Sequence, residues 1–171
     1  QHRAGQLHWR RRHRKCGHFA AVLVLPHVGG DHFGGVRRAL QRIVQAVVLA
    51  ALDLGDLGAV IGHGNGSRHA DLAEAKAYAT YFGGQAAKLP VTSPKSVLGD
   101  LCEAGGVVGL VLALDSFSKK SLPATFNFES GDEHSQKLSL KPEPQLMRAN
   151  RALITSRNFL GLCAAMAVSA A

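Results

Sequence analysis

The sequence predicts an α/β layered fold, in which helices pack against a sheet. Short apolar runs typical of buried strands alternate along the chain with longer segments of helical period. Hydrophobic residues make up 46% of the chain and charged residues only 19%, a balance that allows a buried core and excludes wholesale disorder. The length of 171 residues is that of one domain.

The first half of the chain is predicted to contain two strands and two helices. The strands are 20–25 and 59–62, and the helices are 36–54 and 71–82. The helix over 36–54 places its arginines on one side and its aliphatic residues on the other. Glycines follow both helices, at 55–58 and 83–84, where they end the helical pattern.

The second half begins with a short strand over 89–92 and a helical segment over 98–117. Four glycines interrupt that segment, and each costs a helix up to about 1 kcal/mol relative to alanine. We therefore expect a close packing partner for this helix. A loop at 122–125, a polar stretch at 129–146 with one short strand over 137–140, and closing strands over 151–155 and 162–168 complete the prediction.

The net charge is +8, which suggests an anionic partner such as nucleic acid, an anionic lipid or an acidic carrier protein. Residues 1–30 hold five arginines, one lysine and five histidines but no acidic residue. The basic run that follows Trp9 could bind phosphate groups. Because a single aromatic residue accompanies it, a solvated arm is the simpler interpretation, and a nucleic-acid partner is not favoured.

The three cysteines, Cys16, Cys102 and Cys163, lie far apart and lack metal-binding spacing. This pattern fits a reducing compartment such as the cytoplasm and argues against both a disulfide framework and a metal site. His63 and His69 also lack a third ligand nearby, so no metal is expected. No segment reaches the ~18–20 apolar residues that a membrane span needs, and no membrane partner is expected.

The most informative segment is 61–67, with the sequence IGHGNGS. It places His63 between two glycines directly after a predicted buried strand and just before a predicted helix. Glycines let the backbone approach a ligand closely, and a neutral imidazole can donate one hydrogen bond to a developing oxyanion or enolate. On its own the motif is weak, since the chain has nine histidines.

Three further segments follow His63 in a fixed order: DLAEAKA at 71–77, VTSPKSVLG at 91–99 and EAGG at 103–106. Together with IGHGNGS they resemble the C-terminal half of the β-ketoacyl-(acyl carrier protein) synthases, the condensing enzymes of fatty-acid and polyketide synthesis. The resemblance covers about 36–168 and is strongest over 62–106. It implies a thiolase-like layered fold with a mixed sheet packed by helices. We assign residues 1–35 to a basic arm and first strand, and residues 36–171 to the synthase-like domain.

The resemblance also implies a function and partners. It implies an acyltransferase that works without a cofactor on thioesters of an acyl carrier protein, as a homodimer or as a heterodimer with a ketosynthase. It assigns catalytic roles to His63, Lys95 and Glu74, with an ion pair between Lys95 and Glu74 that fixes the histidine-bearing loop. It places Asp100, Phe159 and Gly161 at the substrate pocket.

Three departures from the family pattern accompany these matches. Asp100 stands where the family has a second catalytic histidine, and a carboxylate there would repel both a malonyl carboxylate and the enolate formed from it. Arg157 replaces the aromatic residue that gates the acyl channel. No segment matches the motif of the nucleophilic cysteine. Cys16 and Cys102 are not proposed as nucleophiles.

The sequence therefore leaves three hypotheses. The chain belongs to a condensing enzyme, or it is a non-catalytic partner like the chain-length-factor subunits, or it is a small basic nucleic-acid-binding protein. The first is the interpretation we adopt, Asp100 and Arg157 are the residues that favour the second, and the basic arm alone supports the third.

Overall fold

The structure is a computed structural model that describes residues 19–24, 54–157 and 163–170. The basic arm at 1–18 and nearly all of the predicted helix over 36–54 lie outside the described residues. The remaining elements allow the predicted architecture to be compared with the observed one.

Among the residues described, six strands form one mixed sheet. They are β1 (Phe19–Val24), β2 (Ala59–Ile61), β3 (Pro90–Thr92), β5 (Ser139–Leu140), β7 (Arg151–Arg157) and β8 (Cys163–Ser169). Their order across the sheet is β1-β8-β7-β2-β3-β5. The run β7-β2-β3-β5 is parallel, whereas β8 is antiparallel to both of its neighbours. Two further short strands, β4 (Ser121–Leu122) and β6 (Gln145–Leu146), pair separately.

Helix α1 (Arg68–Phe82) covers one face of the sheet. Its small buried alanines allow a close approach, and Tyr78 and Phe82 fill the space between helix and strands. Gly83, with a φ of +50°, ends the helix in a conformation that favours glycine. Leu57, Val60 and Leu153 complete this core from the sheet side.

Helix α3 (Gly105–Lys119) packs on the opposite face, against Ile61 and Ile154. A side chain at Gly109 would place its Cβ 2.7 Å from Cγ2 of Ile154. The glycine therefore permits the close approach between α3 and β7, which confirms the expected packing partner at this position. Gly105 and Gly106 leave room for a Cβ at ordinary contact distance.

The sheet thus lies between two helices, and residues along β2 alternate between the two cores. Val60 faces α1, whereas Ala59 and Ile61 face α3. The predicted α/β layered fold with a mixed sheet is confirmed.

Most predicted boundaries agree with the structure to within a few residues, but the helix predicted over 98–117 is divided. A short helix, α2 (Lys95–Leu98), is followed by a 3₁₀ turn at Cys102–Ala104, and only then does α3 begin. Gly99 and Cys102 have φ values of +75° and +50°, which no α-helix can contain. Leu122, predicted as the start of a loop, lies in strand β4 (Ser121–Leu122). Within the described ranges, no helix is long and apolar enough to cross a membrane.

Candidate active site

Strands β2, β3 and β7 are parallel, so their carboxyl ends meet at one edge of the sheet. Each is followed, or ended, by polar residues of the candidate site: His63 after β2, Lys95 after β3, and Thr155 and Arg157 at the end of β7. Gly64 allows the first two segments to touch, because a Cβ there would lie 2.3 Å from Ser93 Oγ. Ser93 Oγ donates a hydrogen bond of 2.6 Å to the Gly64 carbonyl.

Glu74, on α1, anchors the loop that carries His63. One carboxylate oxygen accepts the backbone N–H of His63 at 2.8 Å, and the other accepts that of Gly64 at 2.9 Å. The first oxygen also accepts the hydroxyl of Tyr78 at 2.6 Å and that of Thr155 at 2.7 Å. Four donors on one carboxylate tie the loop to α1 and to β7 at the same time.

Asp71 extends the anchor toward the first turn of α1. Its two carboxylate oxygens accept the backbone N–H groups of Asn65 and Gly66, each at 3.0 Å. Burial raises the pKa of Asp71 above its ordinary value, although these hydrogen bonds favour the ionised form. The loop after His63 is therefore held at four consecutive backbone N–H groups by two carboxylates of one helix.

The imidazole of His63 is 7% exposed. Its Nδ1 accepts the backbone N–H of Arg157 at 3.1 Å, so the neutral ring carries its proton on Nε2. Burial lowers the pKa of His63 below its ordinary value, and the nearby Lys95 lowers it further, whereas Glu74 and Asp100 act in the opposite direction. The ring is thus a neutral hydrogen-bond donor at Nε2, the form suited to an oxyanion.

Lys95 lies beside this ring. Its Nζ is 3.1 Å from Nδ1 and 3.3 Å from Nε2 of His63, and it donates a hydrogen bond of 2.6 Å to Oδ1 of Asp100. The predicted ion pair between Lys95 and Glu74 is wrong. Glu74 does fix the histidine-bearing loop, but through backbone N–H groups and hydroxyls, while Asp100 is the carboxylate that pairs with the lysine.

Asp100 occupies the turn between α2 and the 3₁₀ segment. The same Oδ1 that binds Lys95 also accepts the backbone N–H of Cys102 at 3.1 Å. The hydrogen bond from Lys95 is the main reason that the pKa of Asp100 is held below its ordinary value. The carboxylate is therefore ionised at neutral pH. Cys102 is a free, exposed cysteine.

Two cavities adjoin these residues. One, of about 20 Å³, lies between His63, Lys95, Gly105 and Ile154 and has room for about one water molecule. The other, of about 430 Å³, is lined by Glu74, Tyr78, Lys95 and the loop at 125–135, but not by His63. Phe159 and Gly161, predicted to line the substrate pocket, lie outside the described residues.

Sequence reasoning did not find Tyr78 and Thr155. The spacing of Glu74 and Tyr78 is i, i+4, which places them on one helix face and is the only local signal of their contact. Thr155 approaches Glu74 across 81 residues of sequence, and no pattern in a single sequence indicates such a pair. No group of three or more metal-ligating side chains occurs among the residues described.

A mixed sheet between two helices, with a buried histidine just after a parallel strand, defines an α/β protein. Residues 31–129, more than half of the chain, match the family model of the β-ketoacyl synthase C-terminal domain. The chain therefore belongs to the β-ketoacyl synthase family, through the C-terminal domain of those enzymes.

Individual relatives agree with this membership. The chain is 32% identical over 139 residues to 3-oxoacyl-[acyl-carrier-protein] synthase 2 of Mycobacterium bovis, a match that covers 81% of this chain and 31% of that protein. The chain thus spans about a third of the length of this curated relative.

Two solved structures share the fold. One is a type II polyketide-synthase acyl carrier protein in complex with its ketosynthase, with a TM-score of 0.76, 20% identity, and coverage of 91% of this chain and 38% of that one. The other is the ishigamide ketosynthase/chain length factor, with a TM-score of 0.72, 20% identity, and coverage of 80% and 33%. They support the thiolase-like fold class that the resemblance implied.

Proposed function

We propose that this chain provides the acyl-thioester-binding half of a β-ketoacyl synthase-like protein of fatty-acid or polyketide biosynthesis. In this proposal, Nε2 of His63 donates a hydrogen bond to the thioester carbonyl of an acyl group carried on an acyl carrier protein. Glu74 and Lys95 are positioning residues that act through His63. The nucleophilic cysteine would come from the other part of the synthase, and the protein would work in the cytoplasm as a dimer.

One observation carries this proposal above the others. The hydrogen bond from the Arg157 N–H to Nδ1 leaves Nε2 of a buried, neutral imidazole as the donor, at the edge where three parallel strands end. A fixed donor in a buried site is what the carbonyl of an acyl-transfer substrate needs when its oxygen gains negative charge. The positive net charge of the chain supports an acidic carrier protein as the partner.

The experiment measures whether His63 contributes to the binding of the acyl group. The chain is titrated by calorimetry with carrier protein that bears an acetyl group in a stable amide linkage, and with the same carrier protein without the acetyl group. We expect the acetylated carrier to bind about fivefold more tightly, the worth of one added hydrogen bond, and His63→Ala to abolish the difference.

The matched control is His69→Ala, which removes an exposed histidine from the beginning of α1. It should keep the preference for the acetylated carrier. If His63→Ala keeps that preference as well, or if the native chain shows none, the proposed role of His63 is wrong.

A second candidate function is that of a non-catalytic partner subunit resembling a chain length factor. Asp100, in the position of the family's second catalytic histidine, and Arg157, in that of the gating aromatic residue, favour it. The test is mixing with a purified ketosynthase followed by size-exclusion chromatography with light scattering. A stable one-to-one complex supports this function, and two separate species at micromolar concentrations contradict it.

A further inference from the structure

The ammonium group of Lys95, which contacts His63, is paired with a carboxylate of the same chain. Lys95 Nζ lies 3.1 Å from His63 Nδ1 and 2.6 Å from Asp100 Oδ1, so one amine bridges the imidazole and the carboxylate. The Lys95 side chain is only 9% exposed, whereas that of Asp100 is 42% exposed. The lysine therefore points into the site, and the aspartate covers it from the solvent side.

Asp100 is held in this position by more than the lysine. The backbone N–H of Cys102 donates to the same carboxylate oxygen at 3.1 Å. Cys102 adopts a φ of +50° at this turn, which is uncommon for a non-glycine residue. The turn thus holds a negative charge beside Lys95, on its solvent side. The other carboxylates near His63, Glu74 and Asp71, are occupied by backbone N–H groups.

We propose that Asp100 is a specificity-determining residue that makes the site select acyl thioesters without a carboxylate and reject malonyl-type thioesters. This inference rests on the proposed function, since it names the substrate class of the same site.

The chemistry of the substrate supplies the reason. In a malonyl thioester one methylene separates the thioester carbonyl from the free carboxylate, so a carbonyl bound at His63 brings that carboxylate close to Lys95. A free ammonium group there would bind it. Asp100 occupies the ammonium group instead and adds a like charge, and two like charges repel more strongly where the local dielectric constant is low. An acetyl or longer saturated acyl group has no carboxylate, so it does not need the ammonium group of Lys95 and is not repelled by Asp100.

The test compares malonyl-loaded and acetyl-loaded carrier protein, both in amide linkage, on the native chain and on Asp100→Asn. Asparagine has the shape of aspartate and no charge. We expect the native chain to bind the malonyl form more weakly than the acetyl form. Asp100→Asn should tighten the malonyl form roughly three- to tenfold, as expected for one partly screened charge, and leave the acetyl form within twofold.

Two variants make the result specific. Asp115→Asn removes an exposed carboxylate from α3 that pairs with Lys119, and should change neither affinity. Lys95→Met combined with Asp100→Asn should lose the part of the gain for the malonyl form that needs the released ammonium group, and keep only the part that comes from removing the like charge. The discrimination by the native chain should also weaken as salt is raised, since Asp100 is partly exposed.

The outcomes separate this inference from the function on which it rests. If Asp100→Asn leaves the ratio of malonyl to acetyl affinity unchanged while His63→Ala still abolishes acetyl recognition, the inference is overturned and the proposed function stands. If the native chain prefers neither loaded carrier to the unloaded one, the proposed function fails first. A malonyl form that binds the native chain more tightly than the acetyl form also overturns the inference.

Discussion

His63 is held from two sides that differ in construction. On the side of α1 and β7, Glu74 receives four hydrogen bonds from groups that belong to three different elements. On the side of α2 and α3, one ion pair joins the buried amine of Lys95 to Asp100, and the Asp100 carboxylate faces the solvent. The first side resembles a buried polar network, and the second resembles a surface ion pair set beside a buried ring.

The difference indicates which part of the site serves structure and which part is open to change. A fully satisfied buried network loses much when any member is removed, because its other groups are left without partners. An ion pair whose carboxylate is exposed is screened by solvent and contributes little to stability, so Asp100 can change with the substrate at small cost to folding. Of the two residues that depart from the family pattern, Asp100 lies on the second side, whereas Arg157 ends β7 on the first side and contacts His63 through its backbone N–H.

Removal of Glu74 should have the largest effect. Glu74→Ala leaves two backbone N–H groups and the hydroxyls of Tyr78 and Thr155 without their shared acceptor, and we expect a loss of about 3 kcal/mol in the free energy of unfolding. Urea denaturation measures it. Glu143→Ala, at an exposed position, is the matched control and should cost under about 0.5 kcal/mol. Equal losses for the two variants would show that Glu74 is not an anchor.

The next largest effect on stability is expected where α3 packs against β7. Gly109→Ala forces a Cβ against Ile154 and should destabilise the chain by about 1–3 kcal/mol through overpacking. Gly106→Ala, on the same helix with its nearest neighbour at 3.9 Å, should instead stabilise it by about 0.5–1 kcal/mol. Thermal or urea unfolding of both variants distinguishes the two sites, and a stabilising Gly109→Ala would contradict the packing described.

Loss of one hydroxyl from the anchor should have a smaller effect. Tyr78→Phe keeps the ring packed beside Phe82 but removes the hydroxyl that donates to Glu74. We expect a cost of about 1–2 kcal/mol, as for a hydrogen bond to a charged acceptor. Tyr81→Phe is the control, since Tyr81 is only partly buried and packs at the edge of the same core. If Tyr78→Phe lowers the free energy of unfolding no more than Tyr81→Phe does, the Tyr78 hydroxyl does not contribute to the network around Glu74.

The pH dependence of stability follows from His63. Because the pKa of His63 is lowered by folding, the unfolded chain binds more protons between the folded pKa and the ordinary value of 6.5. Its contribution to stability is therefore complete above pH 6.5 and is lost as the pH falls through the folded pKa. Urea denaturation from pH 7.5 to pH 5 should show a shallower loss for His63→Gln than for the native chain. An unchanged slope would contradict the lowered pKa.

The smallest effect on stability belongs to the ion pair itself. Asp100→Asn should change the free energy of unfolding by less than about 1 kcal/mol, since the carboxylate is substantially exposed. A loss as large as that of Glu74→Ala would mean that the two sides of His63 do not differ in the way described. Urea denaturation at low and high salt makes this comparison, and the small cost should shrink further in high salt.

The sequence predicted the order of strands and helices and the place of His63, because hydrophobic period and glycine position are local signals. It predicted one long helix where α2, a 3₁₀ turn and α3 occur, since the positive φ of Cys102 has no signature in a single sequence. It paired Lys95 with Glu74, whereas the structure pairs Lys95 with Asp100 five residues away. Contacts such as Thr155 with Glu74 depend on strand register and tertiary packing, which local patterns do not contain.

The most direct test of the central claim is the state of the His63 imidazole, read by ¹⁵N NMR of the side chain at pH 7.5 and assigned with His63→Gln. The structure predicts a neutral ring with its proton on Nε2, and a shift of the Nε2 resonance when acetyl-loaded carrier protein is added. A proton on Nδ1, or an Nε2 resonance that does not respond to the acetylated carrier, would contradict the role of His63 as the donor to an acyl thioester.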